Sequence, residues 1–111
     1  MTYKNNNNKI IENSLLMRDI AKAYHRNKLF LFEAENGFKK CSTKEIENAY
    51  MIVYRVDYII DKILDKDDSF IIKKEVIERQ DTSWHKEYMS DSKYYKNRRK
   101  AYANFIKELN S

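Results

Sequence analysis

The residue types that carry most enzyme chemistry are sparse and scattered in this sequence. His25 and His85 are the only histidines and Cys41 is the only cysteine, so no Cys/His cluster with zinc-ligand spacing and no internal disulfide can form. No HExxH, GxSxG or glycine-rich phosphate-loop motif occurs in the 111 residues. This sequence therefore indicates a protein that is not an enzyme and that uses neither a metal nor a cofactor.

Acidic residues recur at helical spacing in one place. Asp57, Asp61 and Asp65 are four residues apart and would lie on one face of a helix. The simplest interpretation is a solvated acidic ridge. The functional alternative is a surface that contacts a basic partner.

The net charge is concentrated near the end of the chain. The chain carries a formal net charge of +5, and residues 90–107 hold six Lys or Arg and one acidic residue. The remainder holds 16 basic and 16 acidic residues. A neutral body with one basic element is typical of nucleic-acid-binding proteins. The alternative is a basic helix face that is merely solvated or that meets an acidic protein.

This basic stretch has the pattern of an amphipathic helix of about 17 residues. Ser90 is a good N-cap, and Asp91 suits the positive end of the helix dipole. Arg98 projects toward the apolar side, so we expect its stem to pack on the core edge and its guanidinium to pair with an acid. The predicted docking face comprises Tyr94, Ala101, Phe105 and Leu109, with Tyr102 at its edge.

The run from Ser90 to Ala101, SDSKYYKNRRKA, resembles the recognition helix of sigma-factor C-terminal helix-turn-helix domains. It is most similar to phage regulators of the ArpU and RinA type. Tyr94 matches their aromatic or aliphatic anchor, Ala101 matches the small residue seven positions later, and residues 63–80 suit their lead-in helix. The resemblance covers about the last 45 residues. It implies a DNA-binding transcriptional regulator.

A recognition helix presents its N-terminal residues to base edges, and residues one turn further on reach phosphates. Arg99 and Lys100 are the predicted phosphate contacts. The predicted DNA-binding residues are Asp91, Ser92, Lys93, Tyr95, Lys96, Arg99 and Lys100. Tyr88 and Tyr95 could stack on bases or pack against Trp84, which we expect to be a core residue.

Composition predicts the architecture that must position these residues. One glycine and no proline leave few turn formers, which favours an all-α fold, a small helical bundle that ends in a helix-turn-helix. Residues 1–8 are predicted to be a disordered polar tail and residues 9–111 a single domain. Within it, residues 9–66 form the N-terminal and central helices, and residues 67–111 the part that resembles a helix-turn-helix.

The clearest predicted helix spans about residues 42–66. Ser42 and Glu45 form a capping box. Two apolar stripes predict packing on two sides or a short dimer seam. The first stripe comprises Ile46, Ala49, Val53, Val56, Ile60 and Ile63, and the second Tyr50, Ile52, Tyr58 and Ile59.

Shorter elements are predicted for the remaining segments of the chain. Residues 9–24 form a helix. Residues 28–40 form either a hairpin with a turn at Gly37 or, preferably, a short helix that Gly37 ends. A helix over residues 69–79, capped by Asp67 or Asp68, buries apolar residues that include Phe70 and Ile77. A short helix covers residues 84–89.

Several partners are compatible with this organisation. Double-stranded DNA is the preferred partner, and the family resemblance adds RNA polymerase. Self-association through the 42–66 helix and RNA binding remain open, as does a non-enzymatic adaptor role on an acidic protein. No apolar run approaches the length of a membrane span, and no leader pattern begins the chain, so we expect a cytoplasmic protein that does not enter a membrane.

Overall fold

Four α-helices and one 3₁₀ helix make up the fold. The computed structural model describes residues 2–111, with side chains from residue 8 onward. Helices α1 (Thr2–Glu35), α2 (Thr43–Tyr58), α3 (Lys66–Ile72) and α4 (Asp91–Leu109) are all α-helical. A π-helical turn extends α2 over Ile59–Ile63 and another extends α3 over Lys73–Ile77, and the 3₁₀ helix is Thr82–Glu87. The described residues contain no strand, which confirms the predicted all-α class.

Helix α1 is longer than predicted. It runs for 34 residues without a break and includes most of the segment for which a hairpin was the alternative, so the hairpin is wrong. Gly37 ends it as predicted, with φ of 72°. The amide of Phe38 donates to Glu33 O at 2.9 Å and that of Gly37 to Ala34 O at 3.3 Å, which is a Schellman motif.

The predicted tail over residues 1–8 falls mostly on residues whose side chains are not described. Its backbone from Thr2 is helical and continuous with α1. A helix that is already nucleated extends at small cost per residue, even through a polar sequence.

Helix α2 begins as predicted, since the Ser42–Glu45 capping box forms in both directions. Its first stripe buries Ala49, Val53 and Val56, but Ile46 and Ile63 at its ends are exposed. The second stripe buries Ile59 and leaves Tyr50, Ile52 and Tyr58 exposed. Packing on a second side is therefore confined to the C-terminal part of the predicted helix, because α1 covers one face of α2 and the π-helical turn contacts α3 and α4. The π-helical turn also changes the direction in which the last side chains point, because a π-helical turn contains an extra residue compared with an α-helical turn.

Helix α3 begins three residues earlier than predicted. Asp65, and not Asp67 or Asp68, is the N-cap, and its carboxylate accepts from the Asp68 amide at 2.8 Å. Phe70 and Ile77 were predicted to be buried, but Phe70 is exposed and Ile77 is half-buried. Ile71, Ile72 and Val76 provide the core contacts of this segment.

The last part of the chain forms as predicted at the level of its helices. Trp84 is buried in the 3₁₀ helix, which Asp81 caps, and α4 starts after its Ser90 cap. Tyr94, Ala101 and Phe105 are fully buried, and Tyr102 is nearly so. These anchors seat α4 against α3 and α1, so its opposite face points away from the core. The helix-turn-helix assignment of this part stays a prediction.

Candidate nucleic-acid interface

The first half of α4 carries three free cationic side chains on its exposed face. Lys93, Lys96 and Arg99 are exposed, and none forms an ion pair with the part of the chain whose side chains are described. Ser92 and Tyr95 lie on the same exposed half of the helix. All seven predicted DNA-binding residues are exposed, and the side chains of these five have no hydrogen-bonded or ionic partner within the described residues.

Asp91 is exposed but already has a partner. Nε2 of His85 lies 2.7 Å from Asp91 Oδ1, and this hydrogen bond holds the pKa of Asp91 below its usual range. The His85 ring is only 3% exposed and stacks on Tyr94 with centroids 3.9 Å apart. The contact fixes the start of α4 on the preceding 3₁₀ helix. Asp91 therefore positions the helix in addition to its predicted place near base edges.

Lys100 is tied to the body of the protein. Its Nζ lies 3.2 Å from Asp65 Oδ2 and 3.3 Å from Asp68 Oδ1, and these carboxylates raise the pKa of Lys100. Asn104 Nδ2 donates to the second oxygen of Asp68 at 2.7 Å. The buried carboxylate of Asp68 is thus satisfied from α4. Lys100 joins α4 to the start of α3, so its ammonium is less free than that of Lys96.

Glu75 lies at the centre of a polar cluster that was not predicted from the sequence. Its side chain is 7% exposed. It accepts hydrogen bonds from Trp84 Nε1 at 2.9 Å and Arg98 Nε at 2.9 Å, and also from the hydroxyls of Tyr94 and Tyr102. One carboxylate in the π-helical turn therefore holds the 3₁₀ helix and α4 together.

Burial and hydrogen bonding act on Glu75 in opposite directions. Burial by itself raises the pKa of the carboxyl, because it penalises the charged form. The four hydrogen bonds outweigh burial and lower the pKa below its usual range. Burial and the same carboxylate raise the pKa of the Tyr94 and Tyr102 hydroxyls. The cluster is therefore a carboxylate held by neutral tyrosines and a charged arginine.

The predicted pairing of Arg98 is confirmed. Its Nε donates to Glu75 Oε1, and its guanidinium lies over the Tyr102 ring, 4.4 Å from the centroid. The sequence offered a signal for the acid partner, because Glu75 falls on the same helical face as Ile71 and Ile72 and directly precedes Val76. An acidic residue on an apolar face needs donors when it is buried.

The predicted acidic ridge is solvated at Asp61 and Asp65, which are exposed, but its carboxylates also have partners. Asp57 accepts a hydrogen bond from the Tyr24 hydroxyl at 2.7 Å, Asp61 pairs with Lys73 at 3.5 Å, and Asp65 caps α3. Each carboxylate has a partner from another part of the fold. These partners are present because α1 and α3 pack beside the π-helical end of α2.

The exposed aromatic side chains near α4 pack against one another and against Trp84. Phe70 lies edge-on to Trp84 at 5.5 Å and to Tyr88 at 5.2 Å between centroids. Tyr88 packs there and is still exposed, as is Tyr95. Both tyrosines therefore keep ring surface available beside the cationic face, and their stacking on bases remains a prediction.

Neither a metal cluster nor a membrane span is found in the part of the chain that the structure describes. No three His, Cys, Asp or Glu side chains there are grouped so that they could hold a metal ion. No helix there is both long enough and apolar enough to cross a bilayer.

Comparison of the chain with family models, curated proteins and solved structures finds no significant match. The resemblance to sigma-type and ArpU or RinA regulators therefore rests on the sequence alone, chiefly on the residues from Ser90 to Ala101.

Proposed function

We propose that this protein is a non-enzymatic DNA-binding protein that places the exposed face of α4 against duplex DNA. The observation that supports this most directly is that Lys93, Lys96 and Arg99, unpaired within the described part of the chain, lie on the exposed face of one helix. Residues three apart on a helix are neighbours along its surface, so the three charges follow one another along the exposed side. A charged stripe on a rigid helix is suited to the regular charge of a phosphate backbone.

The roles proposed for the residues follow their positions along α4. The first turn, with Ser92 and Lys93, enters the major groove, and Tyr95 and Lys96 lie beside the base edges. Arg99 is one turn further and contacts phosphate. The resemblance of residues 90–101 to recognition helices extends the proposal to transcriptional regulation. RNA polymerase is then a candidate partner by analogy with that family.

The proposal is tested by fluorescence anisotropy with a panel of duplexes of different defined sequences at two salt concentrations. Arg99→Ala should weaken binding equally for all sequences and lower the log–log salt slope by about 1. Lys93→Ala and Lys96→Ala should instead change which sequences are preferred, by about 1 to 3 kcal/mol for a strong base contact. Single-stranded and duplex RNA competitors distinguish RNA binding from DNA binding.

Lys44→Ala is the matched control, because Lys44 is an exposed lysine on α2 that lies outside the proposed interface. It removes the same charge from the whole molecule. DNA binding that is absent at low ionic strength would contradict the proposal. Equal loss from Lys44→Ala and Lys96→Ala would show that only net charge matters.

A second candidate function is self-association through α2. Tyr50, Tyr54 and Tyr58 are exposed and stack in a row, with centroids 6.4 Å and 5.9 Å apart. Ile52 and Met51 are exposed beside them. A row of exposed aromatic rings is unusual on a face that only meets water, and tyrosine is enriched in protein interfaces.

This second candidate is tested by sedimentation velocity over a range of protein concentrations. The triple variant Tyr50→Ser, Tyr54→Ser, Tyr58→Ser should remove any concentration-dependent dimer. A parent protein that stays monomeric throughout the range would exclude self-association. A protein-interaction role on α2 would then require a different partner.

A further inference from the structure

Arginine side chains gather in a groove that the proposed DNA face does not include. The groove has a volume of about 250 Å³ and lies between α1, the π-helical turn after α3, and α4. Arg18 of α1 and Arg98 of α4 line the groove, and so does Arg79, which lies two residues after the end of the π-helical turn at Ile77. Arg79 has φ of 54°, a left-handed conformation that non-glycine residues seldom adopt. Three elements therefore bring arginines to one concave site.

A narrow slot of about 30 Å³ continues the groove along α4. Ser14, Arg98 and Tyr102 line both spaces, and the slot adds Arg99 and Asn13. Asn13 is 7% exposed, and its Oδ1 has no hydrogen-bond partner. Burying an amide oxygen without a hydrogen-bond partner costs folding free energy. Rotation of the Asn13 side-chain amide by half a revolution would place its NH₂ group at this position instead. The slot thus contains an unsatisfied polar group in addition to its arginines.

The protein neutralises only part of this charge, because Glu75 pairs with Arg98 alone among the four arginines. Four guanidinium groups line the two spaces, and Glu75 is their only acidic lining residue. The Glu75 carboxylate already accepts four hydrogen bonds, which fills its lone pairs. No ion pair of Arg18, Arg79 or Arg99 occurs among the side chains from residue 8 onward. An anionic ligand would relieve the repulsion among them.

The choice of arginine indicates the chemistry of that ligand. The chain has six arginines and 16 lysines, and four of the six arginines line these two spaces. A planar guanidinium binds phosphate through two parallel hydrogen bonds, which an ammonium cannot do. Arg98 uses only its Nε within the described residues, so its terminal NH₂ groups can still donate.

We propose that the groove between α1 and α4 is a phosphate-binding site, and that it holds a backbone phosphate of the same DNA that α4 contacts. Arg99 supports this choice, because it lies on the exposed side of α4 and also lines the slot. A nucleic-acid strand that contacts Arg99 and continues along the slot would therefore contact Arg98, Arg18 and Arg79 in the groove. The identity of the strand rests on the proposed function, whereas the phosphate chemistry does not.

The test uses the full chain and the double variant Arg18→Gln, Arg79→Gln. Both side chains are exposed, and glutamine keeps a non-glycine residue at position 79, so the fold should be retained. Lys22→Gln, Arg26→Gln is the matched control, because it removes two exposed charges from α1 outside the groove. Circular dichroism melting of all three proteins checks that they are folded.

Two titrations are made on each protein. Pyrophosphate is the free-anion probe, and its binding is followed by the NMR signals of the arginine Nε–H groups. We expect the double variant to bind pyrophosphate at least about tenfold more weakly, with the control unchanged. With duplex DNA, the salt slope of the double variant should fall by about 1, as for loss of one phosphate contact, and that of its control by clearly less.

The outcomes separate this inference from the proposed function. Loss in both titrations supports the complete proposal. Loss of pyrophosphate binding with an unchanged DNA slope supports the phosphate site and overturns its assignment to DNA. A double variant that matches its control in both titrations overturns the site, even where Lys96→Ala still alters DNA binding. If no protein binds DNA, the proposed function fails and pyrophosphate alone decides the site.

Discussion

Glu75 shows how one side chain can set the position of a helix. Its carboxylate accepts from the 3₁₀ helix through Trp84 and from α4 through Tyr94, Arg98 and Tyr102. Removal of such a buried acceptor leaves several buried donors and a partly buried guanidinium without a partner. We therefore expect Glu75 to determine how firmly the basic helix is held.

Glu75→Gln should lower the free energy of unfolding by about 3 to 5 kcal/mol at pH 7, as loss of a buried charge partner does. Glutamine has one acceptor oxygen and would turn its NH₂ group toward other donors. Urea denaturation followed by Trp84 fluorescence measures the change. Glu78→Gln, on an exposed glutamate of the same segment, should change stability by less than about 0.5 kcal/mol.

The same variant tests the pH dependence. Because the folded pKa of Glu75 is lowered, its stabilisation is complete above the ordinary glutamate pKa of about 4.3 and is lost as the pH falls through the folded value. The difference in stability between the parent and Glu75→Gln should therefore be largest at neutral pH and shrink in acid. A difference that stays constant down to about pH 3 would contradict a lowered pKa.

Lys100 and Arg99 are adjacent cations that differ in their ion pairing. Lys100 is paired with two aspartates and Arg99 is not, within the described part of the chain. Lys100→Ala should lower the salt slope of DNA binding by clearly less than the value of about 1 expected for Arg99→Ala. Anisotropy titrations at several salt concentrations measure both slopes. Equal slopes would show that Lys100 releases its aspartates when DNA binds.

At the scale of the element, α4 is held by apolar anchors on one side and is free on the other. Ser90 caps its first turn, and Arg55 donates to the carbonyl of Leu109 at its last turn and, at 3.1 Å, to that of Ser111. Tyr94, Ala101 and Phe105 are fully buried. Stability and binding should therefore depend on opposite faces of the same helix.

Phe105→Ala should cost about 3 to 5 kcal/mol of unfolding free energy, the usual range for a buried phenylalanine. Lys96→Ala should change stability by less than about 0.5 kcal/mol, as exposed substitutions do. Chemical denaturation of both variants compares the two faces. Similar losses from both would mean that Lys96 contributes to packing.

At the scale of the whole molecule, the chain is elongated because α1 extends past the core. The Cα radius of gyration is 15.9 Å, whereas about 13 Å is expected for a compact domain of this length. Ile10, Ile11, Leu15 and Leu16 on the first half of α1 are exposed, and its firm core contacts begin near Met17. The first half of α1 should therefore be the least stable part of the helical structure.

Hydrogen exchange should show this gradient directly. We expect amides of residues 8–16 to exchange through local opening, and those of residues 94–106 to exchange only near global unfolding, because burial differs between them. Exchange measured by NMR gives the protection of each amide. Equal protection of both segments would mean that a partner or a second copy covers the exposed side of α1.

The sequence by itself determined the features that depend on neighbouring residues. The caps at Ser42 and Ser90, the left-handed end at Gly37 and the anchors Tyr94, Ala101 and Phe105 were all predicted correctly, because helix periodicity and capping act over only a few residues. The same local pattern predicted that Arg98 would need an acidic partner.

Only the tertiary structure decided which distant residues meet. Glu75 lies 23 residues from Arg98, and Lys100 lies 35 residues from Asp65, so no spacing rule links them. The π-helical turns after α2 and α3 change the facing of the residues that follow, and the unbroken α1 brings Arg18 to Arg79 and Arg98. These pairings depend on how rigid helices pack around a shared core, which periodicity within one helix does not encode.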